Sequence, residues 1–487
     1  MGNQIKIALD ENGGDVFVDM SAAGPVFITN GSRSERHSAL ALFAQCTAQE
    51  GIPVLLTDTK GNFSALSSHY DVTLWDLNGS SGLPLRTTVT ELGPLLISKL
   101  LGLNENQEDL LRIIFKIADD SGLLLIDTKD LKALINEIIE NNSVYAREYG
   151  MLNTTSLSAI IHALVSLETK GAGNYLFEPA IDVGDLCCAQ PEGRINILDA
   201  ENQYDEKQLY CVFLLFILGE LYEHSAGAAD AAPHPFVILA DEADFFFEAI
   251  EGSLEKKVVK ILEGLSENGI LTVFSLADIK KAKITEELDN YLVMSMQQEG
   301  EALFYDARTA QEAARRINLL PGAAPLRALS ARERTQLNEN DPLHEKYKIP
   351  FERDSAYEFL KRRGLDEYLK DTQSPGLQDA ENAAKTAPEN EDGSESAGDT
   401  APENGGELSE SASQADEEKR KEKNADLQSA AKRAKSSAKS LGSTVAGTVG
   451  RKVGKSVGSS FGSFGETLGG NIGASLGRGI INTLFKS

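Results

Sequence analysis

Short apolar runs alternate with longer stretches whose apolar side chains recur every three or four positions, which predicts an α/β chain. Ile5 to Leu9 and Val16 to Val18, parted by Gly13-Gly14, suit a hairpin, and Val26 to Thr29 a first core strand after Gly24-Pro25. Ser38 to Glu50 reads as an apolar helix closed by Gly51 with Pro53 beyond, and Val54 to Thr57 as a second buried strand. Strand, loop, helix, strand is the first half of a P-loop fold. After another brief strand at Val72 to Asp76, the period turns helical from Glu91 to about Glu168. There Leu110, Ile113, Ile114 and Ile117 share one face behind an Asn104/Gln107 capping box, and further helices are expected over Asp130 to Asn141 and Thr155 to Leu167. Arg194 to Leu198 reads as a returning strand and Gln208 to Glu223 as a long buried helix.

The next run, Phe236 to Ala240, is apolar throughout and ends abruptly in Asp241, Glu242, Ala243 and Asp244. It reads as a strand buried on both faces, as in a parallel sheet. Two readings of its acidic end stay open. One is a core strand that exits into solvated acids; the other is the carboxylate pair with which P-loop NTPases hold Mg²⁺ and orient water. Beyond it, Leu254, Val258, Ile261, Leu262 and Leu265 form a helix face ending at Asn268-Gly269, and Ile270 to Ser275 is the next strand. Val293 to Met296 and Gly300 to Tyr305 suit edge strands, and Thr309 to Ile317 a helix ending near Pro321-Gly322. The alternation predicts a doubly wound sheet.

Charge and composition divide the chain further. Its 487 residues carry a net charge of −27, of which −24 falls in 1–370, −11 in 371–431 and +8 in 432–487. An acidic body disfavours a phosphate backbone as ligand, because nucleic-acid affinity rests on Lys and Arg. The expected domains are two parts of an α/β core at 1–90 and 191–330, an all-helical insertion at 91–190, and a helical extension at 331–370. An acidic linker at 371–425, with almost no large apolar side chains, is expected to be disordered. In the basic tail at 426–487, glycines from Gly447 to Gly477 recur beside a stripe of Val445, Val449, Val453, Val457, Phe461 and Phe464. That spacing fits a partner helix or a membrane surface; a flexible Gly/Ser tail is the plainer reading. No run approaches the roughly eighteen uninterrupted apolar residues of a membrane span, and the expected address is the cytoplasm. Cys46, Cys187, Cys188 and Cys211 lack CxxC spacing and are expected to be free thiols. His162, His224 and His234 lie apart from any ligand-spaced partner.

Four stretches resemble a bacterial family of HerA-like ATPases, relatives of the FtsK/HerA translocases. They are Ile52 to Gly61, Leu92-Gly93-Pro94-Leu95-Leu96, Ile114 to Leu125, and Asp241-Glu242-Ala243. The resemblance spans roughly 1–350. It implies a RecA-like P-loop NTPase core with a mostly parallel sheet and a helical insertion, often assembled as a ring, with helicase-like relatives that move DNA. It makes Asp241 the Mg²⁺-side carboxylate, Glu242 the water-orienting carboxylate, and Asp58 the Asp of an Asp-x-Lys-Gly motif.

The phosphate loop departs from that pattern. In G-x-x-x-x-G-K-[ST], glycines let backbone N–H groups reach phosphate, Lys contacts the β and γ phosphates, and a hydroxyl holds Mg²⁺. Here Asn30, Glu35, Arg36 and His37 stand at the signature positions, with Gly31 just inside. Glu35 is expected to bring a side chain and a negative charge into the crevice. Leu276-Ala277-Asp278 replaces the family's polar turn, and an uncharged residue near Asn290-Tyr291 its downstream arginine. The look-alike Gly450 to Ser456 follows no buried strand. The expected function is therefore a HerA/FtsK-like fold that has lost hydrolysis, needs no cofactor, and serves as a scaffold, regulatory or hetero-oligomer subunit. Two alternatives stand beside it: an active Mg-ATP-dependent ATPase or DNA translocase as in the family, and an interaction or membrane-surface module at the C-terminus.

Overall fold

The computed structural model describes residues 4–363, apart from 21–23, 78, 188–192, 202–206, 227–234, 251–252, 308–313 and 323–325. The acidic linker, the glycine-striped tail and the look-alike loop at 450–456 lie outside the described residues. The strands are β1 (Gln4–Asp10), β2 (Asp15–Asp19), β3 (Val26–Thr29), β4 (Val54–Asp58), β5 (Val72–Asp76), β6 (Leu83–Pro84), β7 (Ile195–Asp199), β8 (Phe236–Ala240), β9 (Ile270–Ser275), β10 (Leu292–Gln298), β11 (Glu301–Asp306) and β12 (Arg315–Leu319). They form one sheet in the order β2-β1-β12-β11-β10-β3-β9-β8-β4-β7-β5-β6. From β10 to β6 neighbouring strands run parallel, whereas β10, β11, β12, β1 and β2 form an antiparallel wing.

The helices are α1 (Arg33–Gln49), α2 (Val89–Leu101), α3 (Glu105–Ser121), α4 (Thr128–Glu140), α5 (Asn142–Tyr149), α6 (Thr154–Thr169), α7 (Val183–Leu186), α8 (Lys207–Ala226), α9 (Asp244–Ala249), α10 (Ser253–Glu267), α11 (Ala331–Asn340) and α12 (His344–Tyr347). Strands β3, β4, β5, β7, β8 and β9 are buried at every position, as expected of parallel strands covered on both faces. On one face Val26, Ile28, Val54, Leu56, Val237 and Leu239 pack with Leu40, Phe43 and Ala44 of α1. On the other, Phe27, Phe236, Ile238 and Phe274 join a second core that continues through α2 to α10. Within it α8 is apolar and buried on all sides from Leu209 to Gly219. Its stretch Gln208–Ala226 is long and apolar enough to cross a membrane by composition, and 67 % of that stretch is buried inside this core.

The structure differs from the sequence reading at α1, at β10 and β11, and at β12. Helix α1 begins at Arg33 rather than Ser38, because Ser32 and Glu35 form a capping box that satisfies its first N–H groups. Strands β10 and β11 are not edge strands: β10 pairs parallel with β3 in the middle of the sheet. The helix expected over Thr309 to Ile317 is not seen at its described end, where Arg315–Leu319 is β12, paired antiparallel with both β11 and β1. Only Ile317 of that strand is fully buried, so a single inward apolar side chain between polar neighbours carried too little periodicity to separate strand from helix.

Candidate functional site

Consecutive strands β3 and β4 are separated in the sheet by β9 and β8, so the chain reverses its winding there. In open α/β sheets the crevice outside the carboxyl ends of such strands is where ligands bind. The loop after β3, the start of α1, the loop after β4 and the turn after β8 meet at this point.

The loop after β3 is short. Asn30 (φ 59) and Gly31 (φ 61) both take left-handed backbone, and a Cβ at Gly31 would lie 2.7 Å from Glu35 Oε2 and from Met296 Cβ, so only glycine fits. The Asn30 amide donates to Ser295 Oγ of β10. Helix α1 then starts. Its capping box places the Glu35 carboxylate on the Ser32 N–H at 2.5 Å, while Glu35 N–H donates to Ser32 Oγ. These bonds hold the Glu35 carboxyl below the usual carboxylate range. Glu35 does enter the loop, as the sequence suggests, but by folding back on its own backbone: its carboxylate occupies the helix N-terminus, where an anion would otherwise sit.

Arg36 and His37 follow on the buried side of α1. Arg36 Nη2 donates to Glu242 Oε1 at 3.0 Å, and its Nη1 donates to the carbonyls of Gly31 and Asn30. Arg33 Nε approaches the same Glu242 oxygen at 3.1 Å. His37 Nε2 lies 3.0 Å from Asp241 Oδ1, with the imidazole against the Phe63 ring. Neither acid at the end of β8 is solvated: Asp241 is 0 % and Glu242 8 % exposed. Glu242 (φ 47) and Asn30 are the two non-glycine residues with positive φ among the described residues, and both border this crevice. Strain of this kind, of order 1–3 kcal/mol, gathers at functional sites.

The rest of the site fixes Asp241. Its Oδ2 accepts from the Thr59 hydroxyl and N–H, and the Thr59 oxygen accepts from Arg33 Nη2 at 2.8 Å. Behind it, Tyr210 OH donates to the Asp241 carbonyl, so the Tyr210 oxygen accepts from Thr57, whose oxygen accepts the Asp241 N–H. That closed ring of hydrogen bonds ties β4, α8 and β8 together, and burial holds the Tyr210 phenol well above its ordinary range. Asp58 serves the loop that follows it: Oδ1 accepts from the N–H groups of Lys60 and Asn62, and Oδ2 from Phe63. Burial pushes its carboxyl up to about 6 against the pull of those N–H groups, with the charge of Asp241 adding to the rise. After β9, the Ala277 N–H binds both oxygens of Asp244, which also meets Lys281 at 3.3 Å.

Of the site residues expected from the sequence, Asn30, Gly31, Glu35, Arg36, His37, Asp241 and Glu242 thus converge, whereas Asp58 turns into its own loop. Arg33, Thr59 and Tyr210 were missed. Arg33 and Thr59 sit beside flagged residues, but nothing local marks Tyr210, which reaches Asp241 from 31 residues away.

No curated protein matches the chain significantly. Among solved structures, VirB4 of Thermoanaerobacter pseudethanolicus is 12 % identical over 66 % of this chain and 97 % of that one, with a TM-score of 0.43. The plasmid coupling protein TrwB, in complex with a non-hydrolysable ATP analogue, is 9 % identical over 63 % of this chain and 87 % of that one, with a TM-score of 0.46. The model of the helicase HerA-like C-terminal family matches residues 65–277 and 277–467, well over half of the sequence. With the parallel sheet and its crevice in place, the chain belongs to the helicase HerA-like C-terminal family and has the P-loop NTPase fold of the FtsK/HerA type.

Proposed function

We propose that this chain keeps the P-loop NTPase fold but not its hydrolysis, and acts as a scaffold or regulatory subunit of an oligomer. The observation that carries the reading is internal occupation of the crevice. The Glu35 carboxylate sits on the helix N-terminus, Arg33 and Arg36 are spent on Glu242, and His37 faces Asp241.

The residues present do not fit Mg-ATP. A triphosphate entering here would meet the negative charge of Glu35 at the start of α1, where the N–H groups of a working phosphate loop would face it. It would also have to separate Arg36 from a nearly buried carboxylate, and no slim Lys ammonium reaches the phosphates in its place. Two guanidiniums on Glu242 Oε1 offset the negative charge of the carboxylate that would orient water.

Calorimetric titration of the full chain with Mg-ATP tests this. No binding is expected up to about 1 mM, whereas a variant carrying Asn30→Gly, Glu35→Gly, Arg36→Lys and His37→Thr should gain affinity. Micromolar binding by the unaltered chain, or steady phosphate release abolished by Glu242→Gln, would instead give it the ATPase activity of its family.

A further inference from the structure

We infer that the crevice is a nucleotide-independent site for a divalent transition-metal ion, with His37 Nε2, Asp241 Oδ1 and a Glu242 carboxylate oxygen as ligands. These three residues each offer a ligand atom, and the atoms all lie within 4.8 Å of one another. Around a tetrahedral ion with bonds of about 2.0–2.2 Å, neighbouring ligand atoms stand roughly 3.3–3.5 Å apart. The 3.0 Å between His37 Nε2 and Asp241 Oδ1 is close to that spacing.

The independent observation is a set of buried polar atoms left without hydrogen bonds. His37 Nε2 and Asp241 Oδ1 are close enough to bond but misaligned, and neither makes a hydrogen bond elsewhere. Their residues are 4 % and 0 % exposed. Ser275 Oγ, at the end of the neighbouring β9 and level with Asp241 on the α1 face, is a third such atom. Native proteins rarely leave buried polar atoms unsatisfied, and a cluster of them calls for an ion or ordered water. Asp241 is also held as a metal ligand is held: Thr59 secures Oδ2 through its hydroxyl and N–H and so leaves Oδ1 directed at His37. The left-handed backbone of Glu242 keeps its side chain beside Asp241.

The ligand chemistry selects the kind of ion. Where a P-loop has a hydroxyl suited to hard Mg²⁺, this chain has an imidazole. One imidazole with two carboxylates suits Zn²⁺, Mn²⁺, Co²⁺ or Fe²⁺ better than Mg²⁺, which favours oxygen and retains its water. Arg33 and Arg36 both sit on Glu242 Oε1, which weakens cation affinity but leaves the second carboxylate oxygen to the ion.

The test uses the untagged full chain, stripped with chelator and free of nucleotide. It is titrated with Zn²⁺ and Mn²⁺ by calorimetry and with Co²⁺ by visible absorption. One ion per chain is expected, with a Co²⁺ spectrum free of thiolate charge-transfer bands. His37→Gln and Asp241→Asn should each weaken binding at least about 100-fold, while His162→Ala, at an exposed histidine elsewhere, should leave it unchanged. Should these variants fail to fold, the isosteric Glu242→Gln should still weaken binding at least about tenfold, and unchanged affinity there would overturn the site. No binding at millimolar metal, a thiolate band, or affinity that survives His37→Gln would overturn the site. Because nucleotide is absent throughout, such a failure leaves the proposed loss of hydrolysis standing, and ATP turnover would not rescue the metal site.

Discussion

Arg36 shows how one side chain can change what a crevice holds. Its stem leaves the first turn of α1 on the buried side, its guanidinium spans two carbonyls and the Glu242 carboxylate, and only 5 % of the side chain is exposed. Removing one member of a buried pair costs about 3–5 kcal/mol, because the other is left charged and unpaired. Here Arg33 remains on the same oxygen, so Arg36→Met should lower the free energy of unfolding by about 2–4 kcal/mol, and Arg33→Met, with a side chain 31 % exposed, by less. The double variant Arg36→Met, Glu242→Leu should recover to within about 1 kcal/mol of wild type. Urea titration of the four proteins checks this, and a double variant no more stable than Arg36→Met would mean that the pair is not what holds the loop. None of these partnerships was legible from the sequence. Arg36 and Glu242 are 206 residues apart, and no local pattern says which carboxylate a guanidinium will find.

At the scale of elements, burial made much of the fold legible. The parallel strands read as unbroken apolar runs because both of their faces are covered, and the Asn104/Gln107 capping box marks the start of α3 in both sequence and structure. The same signal at Ser32 and Glu35 was equally present but was read in the register of a phosphate loop, which set the start of α1 five residues late. Strand β12 was missed because its pairing with β1 and β11, not its own pattern, decides its conformation. One junction depends on a glycine. Gly193 leads into β7 with φ 71, and a Cβ there would come within 2.1 Å of the Ala48 carbonyl near the end of α1. Backbone on both sides cannot yield, so Gly193→Ala should cost at least about 2 kcal/mol. Chemical denaturation showing a change under 0.5 kcal/mol would mean that α1 can move away from β7.

Across the whole molecule, the segment that follows β12 ties separate regions together. Arg334 of α11 reaches Asp199 at the carboxyl end of β7, and Asp341 receives the Thr73 hydroxyl at the foot of β5. Farther on, Arg86 donates to the Tyr347 carbonyl, Arg353 pairs with Glu178, and Glu352 and Glu358 meet Lys129 of α4. Burial acts to raise the Glu358 carboxyl, but bonds from Ser355 and Lys129 outweigh it and hold it at about 2. A depressed carboxyl gives stability that is complete above its unfolded value near 4 and lost as the pH falls through about 2. Pepsin cleavage near Phe359 and Leu360 should therefore accelerate in the wild type between pH 4 and pH 2. In Glu358→Gln it should already be about two- to fivefold faster at pH 4, since the ion pair is partly exposed and contributes at most about 1 kcal/mol. Equal rates for the two proteins at pH 4 would remove Glu358 from this role.

The pairing of Ala8 with Leu319 has a consequence for synthesis. As the polypeptide leaves the ribosome, its opening hairpin has no sheet to join until about three hundred further residues have emerged, and β3 waits almost as long for β9 and β10. An isolated two-stranded hairpin is marginal in water, so β1 and β2 must travel with an edge unpaired until β12 emerges. Chaperone capture should therefore fall on β1 to β3, and a permuted chain that begins after β9 would shorten the wait.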